Sequence, residues 1–198
     1  AKVVDKDVKL PEERQTSAET LEADTLEVLA DLNHASQKGL QTIFDSSVGR
    51  STVNHPLGGR YQITPTEASV QKLPVQHGVT TTASVMAQGF NPYVAEWSPY
   101  HGAAYAVIEA TARLVAAGAN WSKARFSYQE YFERMDKQAE RFGQPVSALL
   151  GSIEAQIQLG LPSIGGKDSM SGTFEELTVP PTLVAFGVTT ADSRKVLS

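Results

Sequence analysis

Hydrophobic residues recur at helical spacing in five stretches of the chain. Apolar side chains three and four positions apart fall on one face of a helix, and a folded protein buries that face. We therefore predict helices over residues 17–33, 36–44, 100–117, 127–142 and 146–159. The helix over 100–117 is apolar nearly all round, which places it at the centre of the fold. Ser98 and Pro99 begin it, because serine caps helix N-termini and proline suits the first turn.

The helix predicted over 127–142 depends on a capping box. Ser127 and Glu130 stand three positions apart, which is the spacing of that motif, and aromatic residues follow at helical spacing. We interpret those aromatic residues as core rather than as a surface that binds a cofactor.

Runs of β-branched residues predict buried strands at 79–86 and 182–189. The loop 87–98 follows the first of these strands, at a position where α/β folds bind ligands. Prolines and paired glycines divide the segment 51–76 into short strands and turns. Within it, Gly58-Gly59-Arg60 is typical of a hairpin turn, with an anion site as the alternative. Helices mixed with strands predict an α/β fold.

The amino-acid composition indicates a globular protein and argues against nucleic-acid and membrane partners. With 41% hydrophobic and 20% charged residues over 198 positions, the chain has enough apolar material for one sizeable core. A net charge of −5 without a basic run argues against a nucleic-acid partner. No apolar run reaches the roughly 20 residues that a membrane span needs, so we expect no membrane partner. The absence of cysteine excludes thiolate catalysis and is compatible with a cytoplasmic location.

The two ends of the sequence indicate whether it is a segment of a longer protein. The chain begins without methionine and stops just after a predicted strand. We therefore interpret it as a segment of a longer protein.

The stretch from Leu161 to Thr173 concentrates the candidate chemistry. Its candidate ligand-binding residues are Gly165, Gly166, Lys167, Asp168, Ser169 and Ser171. The paired glycines allow backbone N–H groups to face phosphate oxygens, and the lysine adds a point charge. The aspartate could bind a metal ion, and the serines offer hydroxyls to a polar substrate. The alternative is a tight turn between two strands, because the spacing is not that of a Walker A loop.

A second candidate lies on the helix predicted over 100–117. Glu109 and Arg113 stand four positions apart and share a face, so they form a salt bridge or leave Glu109 facing a metal ion. The four histidines are scattered without zinc-ligand spacing, and no Ser/His/Asp motif surrounds His101. From the pattern alone, the sequence contains no complete catalytic centre.

Several stretches match the motifs of one enzyme family. The main ones are Gly165-Gly-Lys-Asp-Ser-Met-Ser171, Val179-Pro-Pro-Thr-Leu183 and Tyr100-His-Gly-Ala-Ala-Tyr-Ala-Val107. Supporting stretches are His55-Pro-Leu-Gly-Gly-Arg-Tyr-Gln-Ile-Thr-Pro65, Thr80-Thr-Thr-Ala-Ser84 and Tyr128-Gln-Glu-Tyr-Phe132. Together they resemble phosphoribosylformylglycinamidine synthase in its large form, in which the synthetase is fused to a glutaminase. The resemblance runs from about Leu26 to Ser198.

This resemblance implies the chemistry of an ATP-dependent ligase. The family converts formylglycinamide ribonucleotide, ATP and glutamine-derived ammonia into formylglycinamidine ribonucleotide in purine biosynthesis, with Mg²⁺ as the metal. It implies no catalytic residue in this segment, and it implies the remaining domains of the parent chain, including the glutaminase, as partners. We expect the isolated segment to be inactive. The alternative is a structural module of a duplicated core that binds no nucleotide of its own.

The resemblance also implies a fold and a division of the chain. The fold is α/β (α+β), of the type found at the N-terminus of aminoimidazole ribonucleotide synthetase: a mixed sheet packed with helices, followed by the first strands of a second domain. Residues 1–16 would form an arm or linker, and 17–160 an A-type domain. Residues 161–198 would hold the glycine-rich loop and the first strands of a truncated B-type domain.

Roles for the glycine-rich stretch follow from the small form of the family, whose motif is Gly-Gly-Asn-Val-Ser. Gly166 matches the glycine that meets ATP, and Ser169 matches the serine that meets substrate. Lys167 replaces a magnesium-binding asparagine, and a cation cannot bind magnesium. We therefore expect Lys167 to contact phosphate and Asp168 to take any metal role.

The resemblance implies a second metal position. Glu109 matches a helix glutamate that binds magnesium at the auxiliary nucleotide site of some large forms. Arg113 stands where those forms carry an asparagine ligand, and His77 lies near the position of an aspartate ligand. Two of the three ligands are therefore altered, which argues against a retained magnesium site.

Overall fold

The structure is a computed structural model that describes residues 17–32, 34–36, 38–43 and 46–198. Its helices are α1 (Leu21–Ala30), α2 (Lys38–Gln41), α3 (Pro92–Trp97), α4 (Pro99–Ala116) and α5 (Ala139–Leu159). Short 3-10 turns lie at Val48–Arg50 and Trp121–Lys123. The predicted arm over residues 1–16 lies outside the described residues, as do positions 33 and 44, where two predicted helices were expected to end.

A five-stranded mixed sheet forms the centre of the fold. Its strands are β3 (Ser69–Lys72), β4 (Thr82–Gly89), β5 (Arg125–Tyr131), β6 (Ser163–Lys167) and β9 (Thr182–Asp192). Two small hairpins pair β1 (Leu57–Gly58) with β2 (Thr64–Pro65), and β7 (Thr173–Phe174) with β8 (Leu177–Thr178). The order across the sheet is β3-β4-β9-β5-β6, and every neighbouring pair is antiparallel except β5 with β6.

Helix α4 covers one face of the sheet, and helix α5 packs against α4. The buried side of α4 consists of small and aliphatic residues at helical spacing: Gly102, Ala103, Ala106, Val107, Ala110, Thr111 and Leu114. Helix α4 contacts β4 and β9 in the sheet, and also α3 and α5. On β5, alternation puts Phe126 and Tyr128 on the buried face, as expected for a strand covered on one side.

Glycine residues set how closely these layers approach. A Cβ on Gly89, at the end of β4, would lie 2.1 Å from the carbonyl oxygen of Ala106 in α4. A Cβ on Gly151 in α5 would lie 2.0 Å from the carbonyl oxygen of Tyr100. Both contacts are with backbone atoms, which cannot swing away, so a Cβ at either position would force the backbone to shift.

The main elements confirm the predicted α/β fold. The central helix begins where predicted, since the Ser98 hydroxyl accepts a hydrogen bond from the His101 N–H at 3.3 Å. The two predicted strands appear as β4 and β9, and helix α1 lies within the stretch predicted for the first helix. The Gly58-Gly59-Arg60 segment is the hairpin between β1 and β2, with Gly59 at φ +73°.

The predicted helix over 127–142 is wrong. Residues Ser127 and Glu130 lie in strand β5, which has β9 on one side and β6 on the other. Two ladders of backbone hydrogen bonds outweigh the local capping signal, because strand pairing depends on neighbours that are distant in sequence. Helix α5 instead begins at Ala139, seven positions before the predicted start of the last helix.

The predicted loop over 87–98 is also only partly correct. Strand β4 continues to Gly89, and α3 follows with Asn91 as its N-cap. The Asn91 side chain accepts hydrogen bonds from the N–H groups of Tyr93 and Val94 at 3.0 and 3.2 Å. Asparagine before proline is a helix-start signal, so the start of this short helix could have been predicted from the sequence.

The predicted division between residues 160 and 161 falls inside the sheet. The segment after it supplies β6, at one edge, and β9, between β4 and β5. The assignment of 161–198 to a second domain stays a prediction. Among the described residues, no helix combines the length and the apolar character that crossing a bilayer would require.

Candidate functional site: the glycine-rich edge strand and its surroundings

The glycine-rich stretch forms the edge strand β6 rather than a tight turn. All five of its residues are exposed, and β5 is its only partner strand in the described part of the chain. Gly165 adopts φ +141° beside an irregularity in the β5–β6 register, a conformation that side chains disfavour. A Cβ on Gly166 would lie 2.7 Å from the Tyr128 carbonyl oxygen. Both glycines are therefore required by the backbone geometry of the strand.

Lys167 ends β6 next to the aromatic ring of Tyr131. Its Nζ lies 5.7 Å from the centre of that ring, which is within cation–π distance. The Gln129 side chain donates a hydrogen bond to the Lys167 carbonyl oxygen at 3.1 Å. The ammonium group is thus positioned at the exposed edge of the sheet, where an anionic ligand can reach it.

The loop after β6 is attached to the end of β5. The Phe132 N–H donates to the Ser169 carbonyl, and the Gly172 N–H donates to the Phe132 carbonyl, both at 2.9 Å. The hydroxyls of Ser169 and Ser171 lie 3.1 Å apart and share a hydrogen bond. The structure therefore brings together Lys167, Asp168 and the two serines at one end of β5 and β6.

Two buried polar residues lie on β5, the strand that pairs with β6, and neither is among the predicted site residues. Glu130 is only 7% exposed, and burial, followed by the nearby charge of Asp168, raises the pKa of its carboxyl group. Tyr128 is also 7% exposed, and burial, followed by the charge of Glu130, raises the pKa of its hydroxyl. The Tyr128 hydroxyl is the one fully buried side-chain N or O atom among the described residues that lacks a hydrogen-bond partner.

These two residues become visible in the sequence once 125–131 is read as a strand. Phe126, Tyr128 and Glu130 then fall on one face at alternate positions, and a carboxyl group stands out on a buried face. The helical interpretation of the same residues concealed this pattern.

Glu109 is paired rather than open. Its Oε1 accepts a hydrogen bond from Arg113 Nη2 at 2.8 Å, and its Oε2 accepts one from the Phe90 N–H at 2.8 Å. Arg113 Nε lies 3.2 Å from Glu67 Oε2, so one guanidinium joins two carboxylates. Of the two alternatives for Glu109, the structure shows the salt bridge.

The two predicted metal positions differ in their fit to Mg²⁺. Asp168 precedes Ser169 in the chain and lies close enough to Glu130 for its charge to raise the pKa of that carboxyl group, and hydroxyl and carboxylate oxygens are donors of the kind that Mg²⁺ accepts. At Glu109, an ion about 2.1 Å from Oε1 would be repelled by the guanidinium already bound there. His77 lies in the loop between β3 and β4. In the described residues, no group of three His, Cys, Asp or Glu side chains could hold a metal ion.

A cavity of about 580 Å³ lies beside this ion-pair cluster. Its walls include Thr66, Glu67, Ser69, Gln71, Gln88 and Arg113. Of the lining residues that the structure describes, only Glu67 and Arg113 are charged, so amide and hydroxyl groups dominate its polar surface.

Similarity to solved structures is clear, whereas no protein-family model and no curated protein matches the sequence. PurLQS from Thermotoga maritima matches with a TM-score of 0.69 and 18% identity over 96% of this chain and 27% of that chain. T. maritima PurL complexed with AMPPCP matches with a TM-score of 0.66 and 18% identity over 96% of this chain and 28% of that chain. T. maritima PurL complexed with FGAR matches with a TM-score of 0.63 and 19% identity over 83% of this chain and 24% of that chain.

These matches show the fold. PurL is the phosphoribosylformylglycinamidine synthase II of T. maritima, and this chain has the fold of one part of it. The chain spans about a quarter of the length of the structures that it matches.

Proposed function

We propose that this chain is part of an ATP-dependent ligase that makes formylglycinamidine ribonucleotide in purine biosynthesis. The substrates would be formylglycinamide ribonucleotide, ATP and ammonia released from glutamine. The observation that carries the proposal is a PurL-type fold over 96% of the chain. It agrees with the resemblance that the motifs of this sequence have to the same family, and relatives of this fold have been solved with AMPPCP and with FGAR.

The proposed reaction replaces an amide oxygen by nitrogen. The oxygen of the substrate amide attacks the γ-phosphorus of ATP and ADP leaves, giving an iminophosphate. Ammonia then adds to the imidate carbon, and inorganic phosphate departs with the original oxygen. Catalysis of such a transfer depends on positioning the phosphoryl group and stabilising its charge, which polar loops and cations do.

Each residue at the end of β6 has a proposed part in that task. Gly165 and Gly166 let the ligand approach the open edge of the strand. Lys167 offers its ammonium group to a phosphate oxygen, supported by the Tyr131 ring at 5.7 Å. The Asp168 carboxylate would hold Mg²⁺, which supplies charge neutralisation to ATP. The remaining groups, the hydroxyls of Ser169 and Ser171, would bind substrate.

This segment supplies one wall of a shared site. It has no cysteine for glutamine hydrolysis, so the glutaminase would lie elsewhere in the parent protein. We propose the other domains of that protein as partners, the cytoplasm as location, and no activity for the segment alone. The separate B-type domain from residue 161 belongs to this proposal.

Turnover by the full-length protein tests the proposal. Lys167→Ala should lower kcat on the order of 10²-fold, because it removes a fixed charge from the transferring phosphoryl group. Ser169→Ala should raise the KM for formylglycinamide ribonucleotide. Lys123→Ala, which removes an exposed lysine from a 3-10 turn, is the matched control and should leave both constants unchanged. Normal turnover and normal ATP and substrate affinity in both site variants would refute the proposal.

A structural module is the second candidate, and the Glu109 ion pairs favour it. A glutamate whose two oxygens are held by Arg113 and by the Phe90 N–H serves packing within the chain. Under this alternative, Lys167→Ala and Ser169→Ala would lower the stability of the parent protein but leave its affinity for ATP unchanged. Calorimetric titration of each variant with ATP and Mg²⁺ separates the two functions.

A further inference from the structure

The Glu67–Arg113–Glu109 cluster joins three parts of the fold. Glu67 precedes β3, Arg113 lies in the last turns of α4, and Glu109 reaches the backbone after β4 through the Phe90 N–H. The side chain of Arg113 is 34% exposed and that of Glu67 is 51% exposed, so the cluster is accessible from the adjoining cavity. A single cation therefore holds two carboxylates, one of which, that of Glu67, lines the cavity together with Arg113.

Divalent cations in proteins are bound in a similar arrangement, in which carboxylates surround one central positive charge. Here the positive charge is a guanidinium, which donates hydrogen bonds in fixed directions. It reaches Glu109 Oε1 at 2.8 Å and Glu67 Oε2 at 3.2 Å. With this group in place, an added divalent ion would gain no unpaired carboxylate and would face repulsion from Arg113.

We propose that Arg113 is a built-in cation, which stands where a divalent ion would otherwise bind Glu67 and Glu109. The adjoining cavity therefore needs no metal ion. The ligand class that this excludes is a nucleotide polyphosphate held through Mg²⁺ at Glu109. The inference goes beyond the proposed ligase function, because it concerns a site on α4 and not the residues at the end of β6.

Counting bound ions in the full-length protein tests this directly. Mn²⁺ is the probe, and the bound ions per chain are measured by electron paramagnetic resonance without nucleotide. Glu109→Gln should leave the count of the wild-type protein unchanged, because Glu109 holds no ion there. Arg113→Asn should add one bound ion per chain, since it frees two carboxylates and adds an amide oxygen. The double variant Arg113→Asn/Glu109→Gln should lose the added ion.

Thermal unfolding gives an independent measurement. In EDTA, Arg113→Asn should unfold at a lower temperature than wild type, and MgCl₂ should restore part of that loss while leaving wild type unchanged. Arg194→Asn is the matched control, because Arg194 pairs only with Asp192 near the end of β9 in the described residues. It should show no Mg²⁺-dependent recovery.

Either of two results would overturn the inference. A lower ion count for Glu109→Gln in the wild-type background would make Glu109 a metal ligand, and this comparison holds even if Arg113→Asn fails to fold. A folded Arg113→Asn protein without an additional ion would show that Arg113 does not occupy a cation position. Both results are independent of turnover, so they do not bear on the proposed ligase function.

Discussion

The contact between α4 and α5 can be tested by one substitution at two positions of the same helix. Gly151 and Gly143 both lie in α5, and alanine at either position adds one methyl group. At Gly151 that carbon would lie 2.0 Å from the Tyr100 carbonyl oxygen, 2.8 Å from its carbon and 3.1 Å from its Cα. At Gly143 nothing lies within 4 Å of the added carbon. The two variants therefore differ in packing and not in local chemistry.

The expected magnitudes have opposite signs. Replacing glycine by alanine inside a helix stabilises it by about 1 kcal/mol, and Gly143→Ala should show that full gain. Overpacking a core with one extra carbon costs about 1–3 kcal/mol, and a backbone atom at 2.0 Å places Gly151→Ala at the upper end. After the gain in helix propensity, Gly151→Ala should still be less stable than wild type, and about 3 kcal/mol less stable than Gly143→Ala.

Urea unfolding followed by circular dichroism measures this difference. The midpoint should rise for Gly143→Ala and fall for Gly151→Ala, with the same slope for both, so that the shift reports stability alone. Equal midpoints for the two variants would refute the reasoning, because they would mean that α5 does not approach the first turn of α4 closely. Gly151→Ala should also disturb β6, which follows α5 directly in the chain.

Three further tests concern the core, a helix cap and the buried carboxyl group, and each is measured by the urea midpoint. Leu114→Ala should cost about 2–5 kcal/mol because this side chain is fully buried, whereas Val115→Ala, with Val115 49% exposed, should stay within about 1 kcal/mol of wild type. Ser98→Ala should cost about 1 kcal/mol through loss of the α4 cap, because the Ser98 hydroxyl accepts a hydrogen bond from the His101 N–H. Burial raises the pKa of Glu130, so the folded state binds the proton of this carboxyl group more tightly than the unfolded state does. Protonation therefore stabilises the folded state. That stabilisation is full below the ordinary glutamate pKa and is lost as pH rises through the raised pKa. Glu130→Gln should therefore match wild type at pH 4 and exceed it at pH 8, and an equal difference at both pH values would contradict the assigned cause.

The candidate site illustrates which sequence signals are sufficient. The order Gly-Gly-Lys-Asp-Ser along the chain was enough to place Lys167, Asp168 and Ser169 together, since neighbours in sequence stay close in space. The partners of these residues could not be predicted in the same way. Tyr131, which lies under the Lys167 ammonium group, and Glu130, which adjoins Asp168, belong to a strand that was expected to be a helix.

Local sequence patterns are sufficient to predict the central helix, the strands β4 and β9, and the α/β class. In each case the signal is local: a Ser-Pro cap, a helical apolar period or a run of β-branched residues. Tertiary contacts alone decide that 125–131 is a strand and that Arg113, which the sequence already places four positions from Glu109, also binds Glu67. These outcomes depend on partners far away in the chain, such as β9 beside β5 and Glu67 beside Arg113. Such contacts form only after the chain has folded and brought distant segments together, so a local sequence pattern cannot predict them.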